Sequence, residues 1–216
     1  MFYALIARCL NIFVRKPRLK GLQNIRKEEP SVYAANHLGY YSPLMLMLHS
    51  GVAPIPWVNY EIMEKNSCKE YLRLDFVEPT LHLKGIIARI TATVLVPCCI
   101  LLMKKIGAIP VYHGSRKILD TINKSLEVLK TGKNLLIFPE FASRIDKTSM
   151  QPFQSGFISI AEEYYRETGK RLNFYPVWVD RKRNEINFGE ALSYNPESLI
   201  AKEKIRISEG LRERIS

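Results

Sequence analysis

The sequence predicts a single α/β domain, with a mixed, mostly parallel sheet and helices on both faces. Three observations predict it. Short apolar runs rich in β-branched residues alternate along the chain with longer segments of helical period. The chain has 216 residues, 47% of them apolar, enough for one domain with a sizeable core. No repeat, low-complexity tract or long linker divides it.

At the N-terminus, Phe2, Leu5, Ile6, Cys9, Ile12 and Phe13 recur at helical spacing, followed by the basic run Arg15-Lys16-Pro17-Arg18. Residues 1–18 read either as an interfacial anchor with an apolar face and headgroup-seeking cations or as a first helix packed on the domain. The apolar part of this segment, Met1 to Val14, is expected to be a poor signal peptide, with no basic leader or cleavage site, and too short to span a bilayer. The α/β domain is expected over residues 19–216.

Lys20 to Ile25 reads as a strand and turn, and Ser31-Val32-Tyr33-Ala34 as a short buried strand. The loop Asn36-His37-Leu38-Gly39-Tyr40 follows, and Leu44 to Leu48 reads as the apolar start of a helix. Ile55 to Val58 is the next strand. Ile86 to Met103 is the least polar region, and Pro97 interrupts its charge-free core. Its length and Pro97 favour a helix buried or dipping into a membrane over one that crosses it. Gly107 to Tyr112 reads as a strand. A helix follows, capped by Ser115, ended by Gly132, with Ile118, Leu119, Ile122, Leu126 and Leu129 on its apolar face. Leu135 to Phe138 is a strand ending in Pro139 and Glu140. Gly156 opens a helix that ends near Gly169. Phe174 to Val179 and Glu185 to Phe188 are strands, and Asn195-Pro196 is expected to cap the last helix.

The net charge is +11, which implies an anionic partner: a phospholipid surface, a phosphorylated substrate or nucleic acid. No RNA- or DNA-binding signature accompanies it. Cys9, Cys68, Cys98 and Cys99 lack zinc spacing, so no metal site is expected, and free thiols in a reducing compartment fit best.

His37 stands where a strand gives way to a helix, a rigid place facing a crevice in an α/β protein. About a hundred residues on, Phe138-Pro139-Glu140 closes another strand. In order and spacing the two stretches resemble the glycerolipid acyltransferases, the lysophosphatidate and glycerol-3-phosphate acyltransferase family. Its pattern is Asn-His-x4-Asp followed later by Phe-Pro-Glu-Gly. The resemblance runs from about Leu19 to Leu192.

It implies that His37 is the base that takes the acceptor's hydroxyl proton. The family Asp that orients the ring is Ser42 here, a hydroxyl that can orient an imidazole but offers it no charge. A neutral amide in the equivalent place of the serine-protease triad lowers kcat by about 10⁴. Glu61 is one candidate to replace the missing carboxylate, and a Ser42 nucleophile is a further alternative. The family's phosphate-binding Arg aligns with His113; Arg116, at the start of its helix, can replace it. Glu140 matches the carboxylate that shapes the acceptor site. The family's Gly-Thr-Arg-Ser becomes Phe141-Ala142-Ser143-Arg144, which moves the cation to Arg144. Asn36, Gly156 and Tyr175-Pro176-Val177 match further family positions.

The resemblance therefore implies a membrane-associated O-acyltransferase of phospholipid biosynthesis, on the cytoplasmic face. It would move a fatty acyl group from acyl-CoA or acyl carrier protein to a lysophospholipid-like acceptor, with the thioester as co-substrate and no other cofactor. The altered motif leaves two alternatives open: a silent relative that binds lipid or a protein partner, and an unrelated basic binding protein.

Overall fold

The computed structural model describes residues 15–112, 116–139 and 155–215. The N-terminal anchor through residue 14, the Ser115 cap, His113, Glu140 and Arg144 lie outside the described residues.

The elements run β1 (Arg18–Lys20), β2 (Ser31–Ala35), α1 (Tyr41–His49), β3 (Ile55–Asn59), α2 (Lys65–Leu72), a π-helical turn (Arg73–Val77), α3 (Glu78–Leu81) and α4 (Gly85–Lys105). Then come β4 (Ile109–Val111), α5 (Ile118–Lys130), β5 (Leu135–Ile137), α6 (Ser159–Thr168), β6 (Asn173–Asp180), β7 (Glu185–Phe188), β8 (Leu192–Ser193) and α7 (Ile200–Ile215). The sheet order is β1-β7-β6-β2-β5-β3-β4, with β8 also on β6. Every pairing is parallel except β6 with β7 and with β8.

Period-two alternation divides the central strands between two layers. Val32, Ala34, Leu135, Ile137 and Phe174 face α5, α6 and α7, where Leu126, Leu129, Ile160, Tyr164, Ile207 and Leu211 complete one core. Tyr33, Ala35, Leu136, Tyr175 and Val177 face α1, where Met45 and Leu46 complete the other. Tyr33 and Tyr175 stack across the β2–β6 pair with centroids 5.3 Å apart. The sheet is thus covered on both sides, as parallel strands require.

Gly21 shows why one turn residue is fixed. Its φ is +75°, and a Cβ there would lie 1.9 Å from the Phe188 carbonyl oxygen. Only glycine lets β1 turn so close to β7.

Three expectations change. First, α4 is longer than the charge-free core from Ile90 to Met103, running through Pro97 for 21 residues. That is about 31 Å of helix, so by length and composition alone α4 is long and apolar enough to cross a membrane. Only Ala88, Ala92 and Val96 of α4 are buried, and Ala88 and Ala92 pack with Val77, Leu72 and Leu83. Ile86 at 74%, Val94 at 68% and Ile90 at 59% remain exposed. Second, Asn195-Pro196 forms a turn before α7 and not its cap. Asn195 accepts the Glu197 N–H through its side chain and the Ser198 N–H through its carbonyl, which delays the helix to Ile200. Third, Leu119 leaves the apolar face of α5 and is 64% exposed.

Candidate functional site

The parallel strands β2, β3, β4 and β5 all end at one edge of the sheet. The residues that follow them are therefore collected there: His37 after β2, Tyr60 after β3, Tyr112 after β4, Phe138 and Pro139 after β5. That edge is the crevice in which open α/β sheets bind ligands.

The His37 turn is built residue by residue. Asn36 is buried and its amide clamps β6: Nδ2 donates to the Val179 carbonyl at 3.1 Å, and Oδ1 accepts the Val179 N–H at 2.7 Å. Gly39 takes φ +57°, which turns the chain toward α1. Ser42 is fully buried, and its Oγ accepts the Leu38 N–H at 3.2 Å. Ser42 therefore holds the turn closed. His37 itself is half-buried and meets the Phe138 ring edge-on, with centroids 5.0 Å apart. So the His stretch and the Phe-Pro stretch, far apart in the chain, touch.

Burial lowers the His37 pKa from its ordinary value, and the Asp75 carboxylate acts in the opposite sense. The net shift is downward, which favours the neutral imidazole, the form a base needs. Asp75 sits in the π-helical turn, the kind of helix irregularity that recurs at functional sites. A ring contact brings this turn to the His37 loop: Tyr40 meets Phe76 edge-on at 5.4 Å. Arg73, on the same turn, is taken up by Glu70 and Glu78. Sequence reasoning missed Asp75. The residues from Tyr60 to Lys84 carry no motif, and the spacing from His37 follows no local rule. Glu61, the candidate in the sequence, accepts from the Asn59 side chain at 3.1 Å at the end of β3, and among the described residues the charge that acts on His37 is that of Asp75.

Of the remaining sequence-selected residues, Arg116 is exposed just before α5, where its carbonyl accepts the Leu119 N–H. Gly156 is exposed at the start of the single 3-10 turn preceding α6. It lines a cavity of about 720 Å³ with Trp57, Val111, Ile122, Leu126 and Phe157. The exposed Leu119 lines it too. This cavity belongs to the layer of α5 and α6, whereas the His37–Phe138 pair packs beside the α1 layer.

No curated protein matches the chain. Residues 84–180 match the model of the family described as Acyltransferase, which supports a general acyltransferase function. The matched stretch takes in α4, β4, α5, β5, the Phe138-Pro139-Glu140 segment and β6, and begins after the His37 turn. The chain thus carries an acyltransferase-family segment over residues 84–180, in keeping with the glycerolipid acyltransferases that its motifs resemble.

Proposed function

We propose that the protein is a membrane-surface O-acyltransferase that moves a fatty acyl group from a CoA or acyl-carrier-protein thioester to the hydroxyl of a lysophospholipid-like acceptor. The observation that carries this reading is the half-buried His37 at the strand-end crevice, edge-on against Phe138, with the Asp75 charge acting on it.

In this mechanism a ring nitrogen of His37 takes the acceptor's hydroxyl proton as the oxygen attacks the thioester carbonyl. The ester C–O bond forms, the C–S bond breaks, and the departing sulfur takes the proton from the imidazolium. Positive charge on the ring rises during attack, and the Asp75 carboxylate favours that charge. A carboxylate from the π-helical turn thus does electrostatically what the Asp at the motif position does in the family. Ser42 keeps the turn's shape. Glu140, Arg116, Arg144 and His113 are assigned to the acceptor side by their motif positions alone.

The exposed face of α4 supports the membrane part. Its stripe of small residues stays on the domain while Ile86, Ile90 and Val94 face outward, flanked by Lys84, Lys104 and Lys105. That arrangement suits a helix lying in the interface with its cations at headgroups.

The second reading is a relative that binds lipid without transferring acyl groups. It draws on Ser42, whose oxygen is engaged with Leu38 and carries no charge. Radiolabelled acyl transfer to a panel of lysolipid acceptors separates the two. The proposal expects label in ester product with the wild type and its loss with His37→Ala. Absence of transfer to every acceptor from either donor would favour the silent relative.

A further inference from the structure

A groove of about 440 Å³ opens beside the His37 turn, between the start of α1 and the β6–β7 loop. Arg15, Arg181 and Lys182 supply its charge, and Tyr40, Tyr41 and Leu44 its apolar wall. Three chain segments are fastened together to make it. The Tyr41 hydroxyl donates to Asn184 Oδ1 at 3.3 Å, and Asn184 Nδ2 donates to the Lys16 carbonyl at 3.0 Å. Asn184 takes φ +54°, which closes the four-residue loop between β6 and β7 and points Arg181 and Lys182 to one side.

The guanidinium of Arg181 lies over the Tyr41 ring, 5.1 Å from its centroid. Stacking of this kind holds a guanidinium in place at little entropic cost and leaves its N–H edge for an anion. The nearby acids are occupied. Asp180 faces Arg183 at 3.9 Å, and Glu185 holds Arg18 and Lys20 at 2.7 and 2.8 Å. Among the described residues no ion pair takes up Arg15, Arg181 or Lys182. A groove with spare positive charge and an aromatic wall is shaped for a phosphate attached to something apolar.

Its place in the molecule narrows the ligand. The clamp between Asn36 and Val179 fixes the end of β6, and hence the loop that follows, to the His37 turn. Tyr40 lines the groove and also meets Phe76 in the π-helical turn, which packs on α4. The groove and the helical cluster that packs on α4 therefore both adjoin the His37 turn.

We infer that this groove seats the phosphate of an anionic phospholipid headgroup and holds the His37 turn at the bilayer surface. The inference rests on the membrane-surface reading above, but its test needs no acyl transfer. Full-length protein is sedimented with vesicles of phosphatidylglycerol and phosphatidylcholine, and with phosphatidylcholine alone. The variants are R181E/K182E, the milder R181Q/K182Q, and K124E/K133E as an equal change of charge on exposed lysines of α5 and the turn after it. Thermal melts establish that each is folded. The expected result is a loss of about tenfold or more in binding to anionic vesicles for R181E/K182E. R181Q/K182Q should lose less, K124E/K133E little, and phosphatidylcholine binding should not change. Equal losses in R181E/K182E and K124E/K133E would reduce the groove to general charge and overturn the inference. So would displacement of the protein from vesicles by millimolar glycerol 3-phosphate, which would assign the seat to a soluble phosphate.

Discussion

At His37 two opposed effects act on one ring. Burial disfavours the imidazolium and lowers the pKa, while the Asp75 charge favours it. A protonated ring cannot accept the acceptor's proton, so kcat/KM should fall as the pH drops through a pKa below the ordinary 6.5. Asp75→Asn removes the favourable charge, so its acid limb should move to still lower pH. An acid limb that stays put or moves upward in the pH–rate profile would remove Asp75 from the account. His37→Ala should cost about 10²–10⁴ in rate, the usual worth of a positioned base. How legible this site was depended on the chain. His37 and Phe138-Pro139 announce themselves by motif, and the fold puts their rings in contact. Asp75 had no motif, because its relation to His37 is made by a π-helical turn and a Tyr40–Phe76 contact that no local periodicity encodes.

Among the elements, α4 and α7 rest on different physics. On α4, Ala92 is fully buried in the stripe that meets Val77 and Leu72. Ala92→Leu should overpack that contact and cost about 1–3 kcal/mol, seen as a lower urea midpoint. Val94→Asp on the exposed face should leave stability within about 0.5 kcal/mol yet weaken vesicle binding. If Val94→Asp instead unfolds the protein, the outward face of α4 is packed and the membrane reading of this helix fails. On α7, the buried Glu203 accepts from the Asn195 N–H at 2.9 Å and from Arg206 at 2.7 Å, which ties the preceding loop to the helix. Arg206, with the Asn195 N–H, holds the Glu203 carboxyl below its ordinary pKa. Such a group contributes stability above its unfolded pKa, and that contribution is lost as pH falls through the folded value. Glu203→Gln should therefore lower Tm at pH 7 and lose that penalty in acid. A penalty that persists unchanged at low pH would show that the charge is not what matters. The Asn195-Pro196 pair reads as a cap from composition alone. The Asx turn that displaces the helix start becomes visible only once Glu203 is seen bonding back to Asn195.

For the molecule as a whole, the parallel strands gather functional stretches from distant parts of the chain at one edge. That layout was readable from the alternation of apolar runs and helical periods, down to the strand beginning at Ser31 and the one running into Phe138. The edges of the sheet were harder. β1 and β8 are short and take their place from partners, β1 through Arg18 and Lys20 on Glu185, β8 through Ser193 on Asn173. The segment between β3 and α4 folds as a small helical cluster around Val77, Ala88 and Ala92, a third core separate from the two sheet layers. It carries Asp75, whose charge acts on His37, while the β6–β7 loop carries Arg181 and Lys182 to the groove beside the His37 turn. The candidate site is thus assembled from the sheet, the helical cluster and a hairpin loop, and only the sheet's share has a sequence signature.

Whether a carboxylate from outside the motif supports the imidazole is measured directly by a double-mutant cycle on kcat. Wild type, Asp75→Asn, Ser42→Asp and the double variant are compared in acyl transfer from a thioester donor, with folding checked by thermal melts. Asp75→Asn should lower kcat by about 10²-fold or more, and Ser42→Asp, which restores the motif carboxylate, should raise it. In the double variant Ser42→Asp should recover much of the loss, a coupling of about 1–3 kcal/mol. An Asp75→Asn enzyme as fast as wild type, or strictly additive effects of the two changes, would contradict the account.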